Sequence, residues 1–123
     1  MTEAEAKQML ELASRYEFEI DSTRRHIELL SRMTDIYDTS PRIAQLEEYI
    51  KKLTHDQMAV SRAVSRLGDQ VARIIFTRKY LVGEKWRDVM KYTGRMTERN
   101  ARYIKEASMP EFVRLLSEEM EKN

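Results

Sequence analysis

Small and apolar side chains recur every three or four residues from the start of the chain: Ala6, Met9, Ala13, Tyr16, Ile20, Thr23, Ile27 and Leu30. That step is a heptad seam, and it predicts one long helix over about residues 2–32. Thr2 with Glu5 forms the S/T-x-x-E capping box at its start. The period breaks over residues 33–40, which predicts a connecting loop. Ile36 and Tyr37 are apolar within it and are expected to pack against the tip of the helix pair. Asp38, Thr39 and Ser40 before Pro41 mark the next helix start, a polar cap followed by proline at the first helical position.

From there Ile43, Leu46, Ile50, Leu53, Gln57, Val60, Val64 and Leu67 alternate by three and four, and the step runs on to Val71 and Ile74. A second helix is predicted over 41–67, with one polar seam position at Gln57. Gly68 could end this helix or sit inside one that continues; the unbroken period favours continuation, at a propensity cost of about 1 kcal/mol relative to alanine. Two long helices joined by a short loop are expected to pack antiparallel.

The pattern then shortens. Ile74, Ile75 and Leu81 are candidate core of a helix over 69–81, and Val82-Gly83-Glu84 reads as a tight turn. Trp86, Val89 and Met90 form one apolar face of a short helix. Gly94 stands where a helix end tolerates positive φ, and Thr97 offers a hydroxyl cap to the following helix. That helix has only Ala101 and Ile104 inward. Arg99, Arg102 and Glu106 lie outward, with Asn100 and Tyr103 on one flank and Lys105 on the other. Ser108-Met109-Pro110 is expected to end or kink it. Phe112, Leu115, Leu116 and Met120 then predict a last amphipathic helix.

The fold expectation is therefore all-α: a long antiparallel, coiled-coil-like helical hairpin over residues 1–67, with helices at about 2–32 and 41–67. A C-terminal helix-turn-helix module with a closing helix follows over 68–123.

Charge sharpens the picture. The 123 residues carry a net charge of +1, but unevenly. Residues 1–68 hold ten Lys/Arg against twelve Asp/Glu, residues 69–109 ten against five, and residues 110–123 two against four. The excess of five positive charges coincides with the helix-turn-helix pattern. A short helix that is slim inside and rich in Arg, Asn and Tyr outside suits the DNA major groove. The expected base- or groove-facing residues are Arg99, Asn100, Arg102 and Tyr103, with Thr97 at the cap. Lys91, Arg95 and Lys105, together with Lys85 and Arg87, are expected to hold phosphates.

Other chemistry is thin. With no cysteine, thiolate metal sites and disulfides are excluded, which fits a reducing cytoplasm. His26 and His55 have no neighbouring ligand set in the sequence and read as solvated helix residues. Glu47-Glu48 and Glu118-Glu119 read as helix surface. No nucleophile motif or phosphate-binding glycine loop is present. The expectation is no enzyme, no cofactor and no metal. The eight methionines read as core filler. No run approaches the apolar length of a membrane span, which predicts a soluble, cytoplasmic chain without membrane contact.

Residues 74–109, IIFTRKYLVGEKWRDVMKYTGRMTERNARYIKEASM, resemble the fourth region of bacterial sigma factors, whose pattern is Arg-Tyr before a loop, a tryptophan- or leucine-led short helix, glycine, a hydroxyl cap, then a basic helix. With the long helical N-terminal part, the chain resembles the RinA/ArpU-type phage transcriptional regulators. The resemblance implies a sequence-specific DNA-binding regulator, a phage or prophage late-gene activator, with double-stranded DNA as partner. The hairpin would then set homodimer or higher-oligomer geometry, or touch RNA polymerase. The turn Gly94-Arg95-Met96-Thr97 is one residue longer than is typical of sigma factors, which would rotate the reading helix. Two other readings stay open: a helical adaptor that binds RNA polymerase or another protein without reading DNA, and a phage structural or packaging component.

Overall fold

The computed structural model describes residues 1–94 and 96–122, and those residues contain helices and no strand. The helices are α1 (Glu3–Leu12), α2 (Tyr16–Arg32), α3 (Ser40–Ser65), α4 (Gln70–Phe76), α5 (Trp86–Val89) and α6 (Glu98–Glu121). None is long and apolar enough to cross a membrane. Tight 3₁₀ turns at Ala13–Arg15 and Met90–Tyr92 and a wide π turn at Thr77–Val82 join or extend them.

The first helix starts as expected. The Thr2 hydroxyl accepts the Glu5 N–H and donates to the Glu5 carboxylate, both at 3.1 Å. It does not run unbroken to residue 32. The 3₁₀ turn at Ala13–Arg15 divides it, and a distant turn crosses at that point. Gly83, in the left-handed region at φ +88°, crosses so close that a Cβ there would stand 3.0 Å from the Ser14 Cβ.

α2 packs along α3. Tyr49 donates to the Glu19 carboxylate at 3.0 Å, and the Thr39 hydroxyl donates to the Leu30 carbonyl at 3.0 Å, which ties the end of α2 to the start of α3. Asp38 accepts the Ser40 N–H, and Pro41 follows in the first turn. The seam is buried near α1 and opens toward the connecting turn: Tyr16 and Ile20 are buried, while Thr23, Ile27 and Leu30 are half-buried. Ile36 and Tyr37 do not pack against the tip; they are 74% and 62% exposed.

The period through Gly68 does not mark a continuous helix. α3 ends at Ser65, and Asp69 caps α4 by accepting the Val71 N–H at 2.9 Å. Backbone groups freed at the break find side chains: the Gly68 N–H donates to Glu111 at 2.7 Å, and Arg73 donates to the Leu67 carbonyl at 2.6 Å. Nor does Pro110 end a helix. α6 runs through it, so the basic helix and the closing helix are one element. Pro110 lies on the exposed side, where the orphaned Glu106 carbonyl can meet water. Met109, Phe112, Leu115 and Leu116 bury the opposite face.

One core cluster joins Ala6 and Leu10 of α1, Val60 and Val64 of α3, Phe76 of α4 and Phe112 and Leu116 of α6. The Phe76 ring centroid lies 5.4 Å from that of Phe112 and 5.9 Å from that of Tyr80. A second, smaller cluster holds Ile75, Trp86, Val89 and Ala101, with Ile104 packed against both. Residues before and after position 68 thus share one interior, and α5 is fastened to the first turns of α6 by its own small core.

Candidate nucleic-acid interface

Gly94 ends the turn after α5 at φ +75°, with open space around the position of a Cβ. Thr97 takes extended geometry at φ −81° and ψ 158°, and its hydroxyl accepts the Asn100 N–H at 3.2 Å. Both assignments follow the backbone logic of their residue types. α6 then turns Ala101 fully inward onto Trp86 and Val89, so the small side chain sets how closely α6 approaches α5.

The opposite face of these turns is open. Glu98, Arg99, Asn100, Arg102 and Tyr103 are all exposed, Tyr103 by 73%. The later part of α6 packs on α3 and leaves this face uncovered.

The cations fall into three situations. The ion pairs of the segment belong to Arg78, Arg87, Lys91, Arg102 and Lys105; Arg99 and Lys85 take part in none of these pairs and are exposed. Lys91 and Arg87 share Asp88, at 3.2 and 3.9 Å, with both cations well solvated. Arg102 is held twice. Its Nε meets the Glu98 carboxylate at 3.2 Å, and its guanidinium carbon lies 5.0 Å from the Trp86 ring centroid. Such an exposed i,i+4 pair contributes only about 0.3–0.5 kcal/mol, so a phosphate or a base edge can displace it.

Lys105 departs from the others. It is 20% exposed, pairs with Glu106 at 2.7 Å and lines a small cleft with Lys7, Glu11 and Tyr80. Burial works to lower its pKa, but Glu106 and the Tyr80 hydroxyl outweigh that and hold it above the ordinary lysine value. It serves the junction with α1 more than the open face. Arg95 lies outside the described residues.

Two cations absent from the expected set border the same place. Lys79 Nζ lies 5.3 Å from the Trp86 ring centroid, so Trp86 carries a cation from each of two elements. Arg78 stacks on Tyr92 at 3.7 Å and bonds Glu84 at 3.1 Å, which braces the turn before α5 against the turn after it. The run Arg78-Lys79-Tyr80 was the available signal, but only the fold reveals that its two cations reach different aromatic rings.

No three His, Asp or Glu side chains cluster as a metal site among the described residues. Neither a family model, a curated protein nor a solved structure matches this chain.

Proposed function

We propose that the module over residues 68–123 carries, within 74–109, a helix-turn-helix that docks double-stranded DNA, and that the chain is a sequence-specific transcription regulator similar to the RinA/ArpU type. In this reading α2 and α3 form a helical hairpin that presents the module and performs no catalysis. The start of α6 enters the major groove. Arg99 and Asn100 read base edges, Tyr103 lies on the groove wall, and Lys85, Arg87 and Lys91 meet phosphates. Lys79 and Arg102 border the groove from either side of Trp86.

The observation that carries the reading is the two-sidedness of the first turns of α6. Ala101 is fully buried against α5, while Arg99, Asn100 and Tyr103 on the other side are exposed and uncovered by the chain's own C-terminal half. Among the described residues, a carboxylate pairs with Arg102 and none with Arg99. A rigid, cationic, open helix face set across a second helix is what groove insertion requires.

The test is fluorescence anisotropy on random duplex DNA across a salt series, followed by selection from a random-sequence library. Retention that falls steeply with salt, and enrichment of one motif, support the regulator. Absence of binding at low salt overturns it and leaves the adaptor reading, in which the same cations meet an acidic protein.

A further inference from the structure

Phe18, Asp21, Arg25, Glu28 and Arg32 step along α2 by three and four, which places them in one stripe. The stripe lies opposite the core-facing Tyr16, Ile20, Thr23 and Ile27. It continues past the helix end, because the turn at 33–37 stays nearly helical: the Tyr37 N–H donates to the Met33 carbonyl at 3.0 Å. The two ends of the stripe are apolar and open to solvent. Phe18 is 74% exposed at one end, Ile36 and Tyr37 are 74% and 62% exposed at the other, and Leu29 beside the stripe is 54% exposed.

Read in order, the stripe is apolar, acid, base, acid, base, apolar. Reversed against itself, with a two-fold axis between residues 26 and 27, it becomes complementary. Asp21 then faces Arg32 of the second copy, Arg25 faces Glu28 of the second copy, and Phe18 reaches Ile36 of the second copy. Each contact occurs twice, as an isologous interface demands. A parallel pairing in register would set every charge against its own kind and gains nothing from this order. Within one chain Arg25 already rests 3.2 Å from Asp21, so the reversed pairing would join these charges into a continuous row.

We propose that the chain forms an antiparallel homodimer through this outer stripe of α2, with the apolar ends giving affinity and the central charges fixing register. Every residue of the stripe lies outside the DNA-binding face, so the dimer stands or falls independently of that reading.

Sedimentation equilibrium on the full chain tests it. The wild type should sediment as a dimer at micromolar concentration. Arg25→Glu and Glu28→Arg should each weaken association by about tenfold or more, since each sets like charges face to face. The double variant R25E/E28R restores opposite charges and should recover the dimer. A second measurement does not depend on charge. The chain has no cysteine, and positions 18 and 36 are about 27 Å apart along α2 and the nearly helical turn after it, too far for an internal disulfide. Phe18→Cys combined with Ile36→Cys should therefore give a covalent dimer on oxidation. A monomeric wild type, single reversals that leave the dimer intact, a double variant that fails to recover, or absence of the covalent dimer would each overturn the proposal.

Discussion

The guanidinium of Arg102 lies over the indole of Trp86, 5.0 Å from its centroid, while the same side chain bonds Glu98 one turn back. An arginine expected to face only DNA is thus part of the packing between α5 and α6. Arg99, one turn earlier on α6, makes no such contact among the described residues, and the two arginines should behave differently when removed.

Arg99→Ala should lower duplex affinity by about 1–3 kcal/mol at the preferred site, the usual worth of a bidentate base contact. Its folding stability should stay within about 0.5 kcal/mol of wild type, as for other solvated surface positions. Arg102→Ala should lower affinity and also destabilise by about 0.5–1 kcal/mol through loss of the cation–π contact. Binding isotherms beside urea melts check the pair. Normal binding by Arg99→Ala would remove the groove assignment.

Gly83 and Gly94 both have positive φ, yet they should not tolerate alanine equally. At Gly94 a Cβ would meet open space, so Gly94→Ala carries only the backbone cost, about 1–2 kcal/mol. At Gly83 the same cost is joined by a contact of 3.0 Å with the Ser14 Cβ, between two backbone-anchored segments that cannot swing aside. Gly83→Ala should be the more destabilising by about 1 kcal/mol or more, as overpacked sites are. Thermal melts of the two variants decide this, and adding Ser14→Gly should relieve much of the excess at Gly83 while leaving Gly94→Ala unaffected.

The seams of the long helices were legible because burial follows a repeating step, and Leu46, Leu53, Val60 and Val64 are buried where that step placed them. The caps at Thr2 and Thr97 were legible because each needs only the few residues that follow. What could not be read were contests between local signals and distant contacts. At Gly68 the heptad pointed to a continuing helix, but Asp69 caps a new one instead, and Glu111 from another helix takes the freed amide. The 3₁₀ turn at Ala13–Arg15 lies against Gly83, far along the chain. In the candidate site, the pattern placed Arg99, Asn100 and Tyr103 on an exposed face. It could not foresee that Trp86 would hold Arg102 and Lys79, or that Lys105 would turn toward Tyr80.

Tyr16 gives the fold an alkaline limit. Its burial, with the nearby Asp56 and Glu19 adding to the effect, pushes its pKa from 10.0 up to about 12. Between those values the unfolded chain releases a proton that the folded chain retains. The unfolded state therefore binds fewer protons, and stability falls as pH rises. The contribution is fully present below pH 10 and on the order of 2 kcal/mol is lost by pH 12. Tyr16→Phe should flatten that part of the curve, followed by urea melts from pH 9 to 12. Tyr49 and Tyr80, also raised, leave a residual slope in the variant.

Pro110 offers the clearest gain. It stands inside a 24-residue helix, is exposed, and cannot donate to the Glu106 carbonyl one turn back. A proline in a helix interior costs about 3 kcal/mol relative to alanine. Part of that is returned because proline also restricts the unfolded chain. Pro110→Ala restores the missing donor without touching the core, whose residues Met109 and Phe112 lie on the other side. The variant should therefore be more stable by about 1–2 kcal/mol, with a higher urea midpoint and an unchanged slope. The joint between the open face and the core-bound half of α6 would also stiffen. If the reading turns must tilt against the core-bound half to follow the groove, Pro110→Ala should bind DNA more weakly while melting later. If α6 acts as one rod, affinity stays at the wild-type value and only the melt moves.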